Sequence, residues 1–214
     1  MIFRLDKRLL FPDTTLAEAD GLLAVGGDLS TGRLLLAYQS GIFPWYNDDT
    51  PILWYSPHER FVLFPAELKV SKTMRQVLRS GKFRLTEDQC FEKVIEACSV
   101  VPRQGQDGTW ITEDMKNAYF RLHEEGYAHS IEIWEQDQLV GGLYGVQVGT
   151  VFCGESMFSR VSNASKTALI NLCNSGKYTL IDCQVHTDHL ESMGARLISR
   201  KEYMAILQIN TSKS

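Results

Sequence analysis

The chain has 214 residues, of which 44% are hydrophobic and 22% are charged, and its formal net charge is −4. This length allows a sizeable core in one or two domains, and the ordinary composition excludes a disordered or fibrous chain. The five cysteines form an odd set without a C-x-x-C pair, which is typical of reduced thiols in a cytosol and excludes a disulfide framework.

Two features of secretory and membrane proteins bear on this sequence: an apolar signal segment and a long uncharged run. Residues 1–8 contain no apolar signal segment, and the longest uncharged run, 139–154, is short and rich in glycine for a membrane helix. We therefore expect a cytoplasmic protein that does not associate with membranes.

Residues 1–65 are rich in glycine, proline and aromatic side chains, and they predict a small N-terminal domain. Ser30 is placed to cap a short helix that ends at Gly41. Residues 43–57 are predicted to form a loop-like stretch. Their aromatic side chains either pack a small satellite core or present flat surfaces on which a base can stack.

Residues 66–214 are more regular and predict a larger second domain. Ser71 is expected to cap a helix that ends at Gly81, and Thr112 a helix that ends at Gly126. Both segments place apolar residues on one helical face.

Two further patterns complete the prediction of the second domain. Thr86 and Gln89 have the spacing of a capping box for a helix that carries Phe91, Val94, Ile95 and Cys98. The apolar period then changes, and the expected elements are strands at 130–134, 139–146 and 150–156, a helix at 163–173, a strand at 180–185, a helix at 188–193 and a strand at 196–199. This order predicts an α+β fold with a mixed β-sheet flanked by helices.

A stretch of basic residues without acidic neighbours occupies positions 69–84. Lys72, Arg75 and Arg79 share one helical face, and Lys82 and Arg84 follow directly. A surface of one sign in an acidic protein indicates a polyanionic partner, because like charges at this spacing repel each other. An ordinary surface helix, balanced by carboxylates elsewhere in the fold, remains the alternative.

Three polar residues fall in strands that otherwise look buried: Glu155, Asp182 and Gln184. Burying a carboxylate or an amide is costly unless it is paired. Asp182 and Gln184 are two residues apart, so a regular strand places them on one face and Cys183 on the other. They form either a satisfied buried pair or a catalytic pair.

Eight segments, in this order, make the chain recognisable. They are Asp20 to Leu29 (DGLLAVGGDL), 41–46 (GIFPWY), 51–54 (PILW), 108–112 (GTWIT), 139–146 (LVGGLYGV), 152–160 (FCGESMFSR), 164–166 (ASK) and 180–185 (LIDCQV). Over nearly its whole length the chain resembles the leucyl/phenylalanyl-tRNA–protein transferases of bacteria.

The resemblance implies a fold, a reaction and partners. The second domain is expected to be N-acetyltransferase-like. The expected reaction moves Leu or Phe from Leu-tRNA or Phe-tRNA to the α-amino group of a protein that begins with Arg or Lys, which marks that protein for N-end rule degradation. The ester is already activated, so no cofactor and no metal are expected. A monomer is expected.

The resemblance also implies residue roles. Trp45 and Trp110 match tryptophans near the terminal adenosine of the tRNA, although a tryptophan in such positions is otherwise read as core. Leu143, Phe152, Leu169 and Ile181 match an apolar side-chain pocket with Glu155 at its rim. Asp182 and Gln184 match the catalytic pair, and the basic stretch would grip the acceptor stem by its phosphates.

In this reading, Gln184 orients the attacking amine and Asp182 orients or polarises Gln184, because a neutral amide is a very poor base. Glu155 and Asp182 are the candidate carboxylates for the basic acceptor terminus. Either one is equally a candidate ion-pair partner for Arg160 or Lys166.

Other readings are weaker. A coenzyme-A acyltransferase requires a glycine-rich phosphate loop, which residues 159–166 do not contain. A thiol enzyme that uses Cys183 with His186 or His189 places the thiol on the wrong face, and a metal site at 186–189 lacks further ligands. A tRNA-binding module without chemistry leaves the Asp182–Gln184 pair unexplained.

Overall fold

The computed structural model describes residues 2–101 and 111–211 of the chain. It contains two β-sheets with seven α-helices around them. In chain order the described elements are β1 (Phe3–Leu5), β2 (Leu22–Gly26), α1 (Thr31–Gln39), β3 (Phe43–Pro44), β4 (Leu53–Tyr55), β5 (Glu59–Leu63), α2 (Lys72–Arg79), β6 (Arg84–Glu87), α3 (Phe91–Ser99), α4 (Glu113–Glu124), β7 (Ala128–Glu135), β8 (Gln138–Val148), β9 (Val151–Ser159), α5 (Ala164–Asn174), β10 (Leu180–Gln184), α6 (Asp188–Ser192), β11 (Arg196–Ser199) and α7 (Arg200–Thr211).

The smaller sheet has the strand order β1-β2-β4-β3, and the larger sheet has the order β11-β5-β10-β9-β8-β7-β6. Strands β7, β8 and β9 form an antiparallel meander. Strand β10 runs parallel to β9, with α5 as the connection, and antiparallel to β5. The predicted α+β fold with a mixed sheet flanked by helices is confirmed.

Strand β5 lies inside the segment that the sequence assigned to the small domain, yet it pairs with β10 and β11 in the larger sheet. One core cluster also joins Leu23 and Trp54 of the small sheet region to Val146 and Leu180 of the large sheet. The division into residues 1–65 and 66–214 stays a prediction. In the structure, the larger sheet begins at Glu59.

Neighbouring residues of the large sheet alternate between two core clusters. Phe152 and Ile181 pack with α5 in one cluster, whereas Cys153 and Leu180 pack with α3 and α4 in the other. The sheet is therefore buried on both faces, which is why its strands read as nearly continuous apolar runs in the sequence.

Two of the four predicted helix caps are confirmed, and Ser30 precedes α1 as predicted but makes no side-chain cap hydrogen bond. Ser71 accepts a hydrogen bond from the backbone N–H of Met74, and Thr112 accepts one from that of Met115. The capping box at Thr86 is wrong, because Thr86 lies in β6 and its hydroxyl donates to the buried Glu132.

The structure adds elements that the sequence did not predict. Part of the stretch predicted as a loop forms β3 and β4, and helix α7 follows the last predicted strand. None of the described helices has the length and hydropathy that a membrane crossing requires.

Candidate active site

A cavity of about 580 Å³ opens where β8, β9 and β10 meet α5 and α6. Eight of the predicted site residues line it: Trp45, Leu143, Phe152, Glu155, Leu169, Ile181, Asp182 and Gln184. Trp110 lies outside the described residues. The fold thus brings together side chains that are up to 139 positions apart in sequence (Trp45 to Gln184).

One part of the cavity is apolar. Leu143, Phe152, Leu169 and Ile181 are each exposed by 3% or less, so their visible surface is the cavity wall. The sequence analysis missed other lining residues, namely Met157, Leu172 and Leu190. Met157 lies on β9, Leu172 on α5 and Leu190 on α6, and in the sequence each looks like an ordinary packing residue of its element.

Gly145 allows Phe152 to form this wall. A Cβ atom at position 145 would lie 2.5 Å from the Phe152 ring and would also collide with the carbonyl oxygen of Cys153. The ring also packs against Tyr178, with ring centroids 5.1 Å apart. Phe152 is therefore held between a glycine and an aromatic ring.

Glu155 on β9 is buried and accepts hydrogen bonds at both carboxylate oxygens. The Nε2 atom of Gln184 donates to its Oε1 at 2.7 Å, and the Tyr119 hydroxyl donates to its Oε2 at 3.0 Å. Tyr119 in turn shares a short hydrogen bond with Tyr38. Burial raises the pKa of Glu155 to about 7, against the opposing effect of these hydrogen bonds.

The two tyrosines were not predicted as site residues. Tyr119 and Tyr38 lie on α4 and α1 and are fully buried, and burial raises the pKa of each hydroxyl well above its usual value. They remain protonated at neutral pH, so they pass hydrogen bonds to Glu155 without carrying charge. In the sequence they are indistinguishable from other apolar-face residues.

Asp182 is fully buried and has partners other than those expected. It forms an ion pair with Arg60 of β5 and accepts a hydrogen bond from the Tyr203 hydroxyl of α7 at 2.7 Å. Arg160, one of the two expected partners, instead donates to the backbone carbonyl of Leu139. The negative charge of Asp182 is thus already compensated inside the protein.

The expected side-chain contact between Asp182 and Gln184 is also replaced. Oδ1 of Asp182 accepts the backbone N–H of Gln184 at 3.0 Å, whereas the Gln184 side chain reaches Glu155. Asp182 therefore contacts the backbone of Gln184, and the group that meets the amide side chain is Glu155.

A bulge in β10 explains this geometry. The register against β5 shifts between Asp182 and Gln184, and Gln184 has a φ of 59°. Alternation is regular as far as Cys183, which packs with Ile181 on the α5 side of the sheet while Asp182 contacts Tyr203 on the other side. The bulge then breaks the alternation at Gln184, and both Cys183 and Gln184 line the cavity. Burial raises the pKa of Cys183 far above the usual thiol range, which disfavours a thiolate nucleophile.

Trp45 lies at the mouth of the cavity with 39% of its surface exposed. Its ring meets Tyr55 edge-on, with centroids 5.8 Å apart. The alternative that this tryptophan is a plain core residue does not fit such exposure. It presents a flat aromatic surface next to the polar groups of the site.

The basic stretch lies on the protein surface. Lys72, Arg75 and Arg79 are exposed along α2, and within the described residues none of the three forms an ion pair. Lys82 lies 3.5 Å from Glu135, and Arg84 covers the ring of Trp134 at 5.1 Å. We call these five residues the basic face.

Three exposed side chains after β10, His186, Asp188 and Glu191, have ligand atoms within 4.8 Å of one another. His186 and Glu191 already share a 3.1 Å contact. His189, included in the weak metal reading of the sequence, lies instead in the cavity wall, where burial lowers its pKa. Proximity of exposed acidic groups is common at protein surfaces, and we assign no metal to them.

Known proteins resemble this chain closely. The family model of the leucyl/phenylalanyl-tRNA protein transferase matches residues 62–208, and the model of its N-terminal domain matches residues 27–58. The leucyl/phenylalanyl-tRNA–protein transferase of Syntrophobacter fumaroxidans is 58% identical over 98% of this chain and 91% of its own length. The protein of the same name from Flavobacterium johnsoniae is 52% identical over 97% of this chain and 99% of its own length.

Similarity to solved structures is remote. FemX shares 10% identity with a TM-score of 0.47 over 83% of this chain and 71% of its own. A GCN5-related N-acetyltransferase from Kribbella flavida shares 10% identity with a TM-score of 0.37, over 78% of this chain and 60% of its own. These values carry no argument about the site. The two family models and relatives that are more than half identical over nearly the whole chain show that this protein belongs to the leucyl/phenylalanyl-tRNA–protein transferase family.

Proposed function

We propose that this protein transfers leucine or phenylalanine, and methionine more weakly, from aminoacyl-tRNA to the α-amino group of proteins that begin with Arg or Lys. The observation that carries the proposal is the hydrogen-bonded pair of Gln184 and Glu155 beside an apolar cavity. Such a site offers a dry pocket for a side chain next to groups that orient an amine and accept its proton. The family of the chain supports the same reaction.

The apolar wall receives the side chain of the transferred amino acid. Leucine, phenylalanine and methionine all fit against a wall formed by apolar side chains, and one methylene changes binding by only about 1–3 kcal/mol. We therefore assign discrimination between these residues to the shape set by Phe152 and Leu169. Polar side chains are rejected because they would lose their hydrogen bonds with water.

Trp45 provides the stacking surface for the adenine of the terminal adenosine. A stacked base contributes about 1–3 kcal/mol, and an exposed ring beside the cavity is placed to contribute it. We assign the same contact to Trp110 by the family resemblance alone.

Gln184 receives the attacking amine. A carboxylate only accepts hydrogen bonds, so the amide must turn its Nε2 towards ionised Glu155. Its Oε1 is then available to accept a hydrogen bond from the amine. This contact fixes the direction of the nitrogen lone pair towards the ester carbonyl, which is the main contribution that an activated ester requires.

Glu155 takes the first proton. Its pKa of about 7 lies close to the value of about 8 for an α-ammonium group, so proton transfer between them is nearly balanced. The new proton is accommodated on Oε2 when the hydroxyls of Tyr119 and Tyr38 turn, with Tyr119 donating to Tyr38 instead of to Glu155.

The rest of the reaction balances without a further reactant. The neutral amine attacks the ester carbonyl, the C–N bond forms, and the C–O bond to the ribose breaks. The second proton of the nitrogen passes to the leaving ribose oxygen, and Glu155 returns its proton to solvent. One amide N–H remains in the product.

The basic face binds the phosphates of the tRNA acceptor stem. Arg75 and Arg79 are exposed and not neutralised by carboxylates among the described residues, so their charges are available to a polyanion. Phosphate contacts carry no sequence information, which suits an enzyme that accepts several tRNAs. We place the reaction in the bacterial cytoplasm, with a monomer as the active form and N-end rule degradation as the fate of the product.

The test is transfer of radiolabelled leucine from Leu-tRNA to a protein that begins with Arg, without ATP. The same protein with an N-terminal Ala is the matched acceptor control. Label in the Arg protein alone is the expected result. Binding of Leu-tRNA without transfer to either acceptor would identify a tRNA-binding module and reject the enzyme.

A further inference from the structure

Gln184 holds a backbone conformation that a long side chain rarely adopts. Its φ of 59° lies in the left-handed region, where the Cβ of an L-residue crowds the following carbonyl. This conformation ends β10 and aims the amide side chain at Glu155. Something in the fold must compensate for the unfavourable backbone.

The compensating contact comes from Asp182. Its Oδ1 accepts the backbone N–H of Gln184 at 3.0 Å, a charge-assisted bond across the bulge. A carboxylate that bonds to the N–H two residues further along the chain is a common way to stabilise a turn. The strained residue and its clamp are thus only two residues apart in sequence.

Asp182 is itself held from two distant elements. The Arg60 guanidinium donates through Nε to Oδ1 at 3.4 Å and through Nη2 to Oδ2, and the Tyr203 hydroxyl donates to Oδ2 at 2.7 Å. All three side chains are exposed by 2% or less. Both carboxylate oxygens are therefore fixed in position.

Arg60 is fixed in the same way. Its guanidinium lies between the rings of Phe43 and Tyr203, 4.8 Å and 4.6 Å from their centroids, and its Nη1 donates to the carbonyl of Gly41 at 3.3 Å. The planar fork of arginine is needed here, because a lysine cannot stack and bond to both oxygens at once.

We infer that Arg60 and Tyr203 are positioning residues, which act through Asp182 to hold Gln184 in the orientation that receives the attacking amine. This inference rests on the proposed function. It assigns to Asp182 a role in positioning, and it excludes Asp182 as the group that binds the positive charge of the acceptor.

A purely stabilising role accounts poorly for the arrangement. Replacing a buried ion pair by apolar residues is often neutral or favourable for folding, so stability alone does not require this one. The network also ends on the backbone of a residue in the cavity wall, at a strained position. Loss of a clamp there should loosen the amide without displacing the bound tRNA.

The test is a double-mutant cycle with Tyr203→Phe and Gln184→Ala. Tyr203→Phe removes one hydroxyl and keeps the ring over Arg60. We expect kcat to fall about tenfold with an unchanged KM for Leu-tRNA. In the Gln184→Ala background the same change should alter kcat by less than about twofold, because the residue through which it acts is gone.

Ser99→Ala is the matched control, since it also removes a buried hydroxyl, which donates to the backbone carbonyl of Glu96 at 2.8 Å. It should leave kcat unchanged in both backgrounds. An equal loss for Tyr203→Phe in both backgrounds, or no loss in either, would overturn the inference.

Hydrogen exchange at the backbone N–H of Gln184 separates this inference from the proposed function. Tyr203→Phe and Asp182→Asn should increase the exchange rate about tenfold or more at this amide, whereas Ser99→Ala should not. Unchanged exchange overturns the positioning role. Absence of transfer by the unmodified enzyme, together with increased exchange in the variants, rejects the proposed reaction and supports the clamp.

Discussion

Glu155→Gln tests whether this carboxylate takes the proton of the acceptor amine. In the unmodified enzyme, kcat/KM for the acceptor should rise with pH to a midpoint near 7, the pKa to which burial raises Glu155. The variant leaves the amine to lose its proton to water, so the midpoint moves to the pKa of the amine, about 8. At pH 7 we expect kcat/KM to fall by about 10²-fold, because only about a tenth of the amine is free and the positioned base is lost.

The assay measures initial rates of labelled leucine transfer at low acceptor concentration, from about pH 5.5 to pH 8.5. The substituted amide keeps one acceptor oxygen for Nε2 of Gln184, and its NH₂ group donates to the Tyr119 hydroxyl, which turns to donate to Tyr38, so the cavity retains its shape. Glu124→Gln makes the same chemical change at an exposed position on α4 and should leave the profile unaltered. A midpoint near 7 in both the enzyme and Glu155→Gln would refute Glu155 as the base.

The same pKa shift also affects stability. Between about pH 4.5 and pH 7 the folded protein holds a proton on Glu155 that the unfolded chain has lost, so the free energy of unfolding falls as the pH rises through this window. A shift from 4.5 to about 7 corresponds to about 3 kcal/mol. Urea unfolding at both ends of the window should show a smaller pH dependence for Glu155→Gln. An identical dependence would mean that burial does not raise this pKa.

Three further variants test the remaining parts of the site. The double variant Arg75→Ala/Arg79→Ala should weaken Leu-tRNA binding and reduce the slope of log K against log salt concentration by about 2. Lys201→Ala, which removes an exposed cation on α7, should leave this slope unchanged. Equal slopes in the double variant and the unmodified protein would show that the basic face does not contact the tRNA. Leu169→Ala enlarges the cavity beside the apolar wall and should raise the Phe-to-Leu ratio of kcat/KM about tenfold in a competition assay. An unchanged ratio would mean that the side chain of the transferred amino acid binds elsewhere. Gly145→Ala should cost about 1–3 kcal/mol in urea unfolding because its Cβ collides with the ring beside it, and a stability equal to that of the parent would contradict the close approach.

Local patterns were sufficient for much of the fold. Ser71 and Thr112 act as caps because hydroxyls before an apolar helical run satisfy free N–H groups in a sequence-local way. Thr86 has the same local signal and lies in a strand, because its hydroxyl satisfies the buried Glu132, 46 residues away. At Thr86 a hydrogen bond to a residue distant in sequence outweighs the local preference for a helix start, and a short stretch of sequence does not reveal such a bond.

The sequence predicted which residues belong to the site better than it predicted which of them contact one another. The polar residues of β9 and β10 were recognisable because buried strands avoid them, and the structure does bring Glu155 and Gln184 together. The partner of Asp182 was not recognisable, since Arg60 lies 122 residues away. The available signal was an arginine directly before the apolar residues of β5, a position where a charge requires a buried partner.

The bulge at Gln184 could not be predicted from alternation. A period of two assumes a regular strand, and the extra residue changes which groups face the cavity. Glycine or asparagine usually indicates a left-handed position, and glutamine does not. The side-chain contact expected between Asp182 and Gln184 was wrong for this reason.

The proposed reaction depends on Gln184, which is held by Glu155 and orients the amine for transfer at this cavity. The most direct measurement is the single-turnover rate of leucine transfer from enzyme-bound Leu-tRNA, compared between the unmodified enzyme and Gln184→Ala, with tRNA affinity measured on the same samples. We predict a rate lower by about 10²-fold with unchanged affinity, since the contact acts on the amine and not on the tRNA. An unchanged rate, or a loss of rate matched by a loss of affinity, would contradict the account.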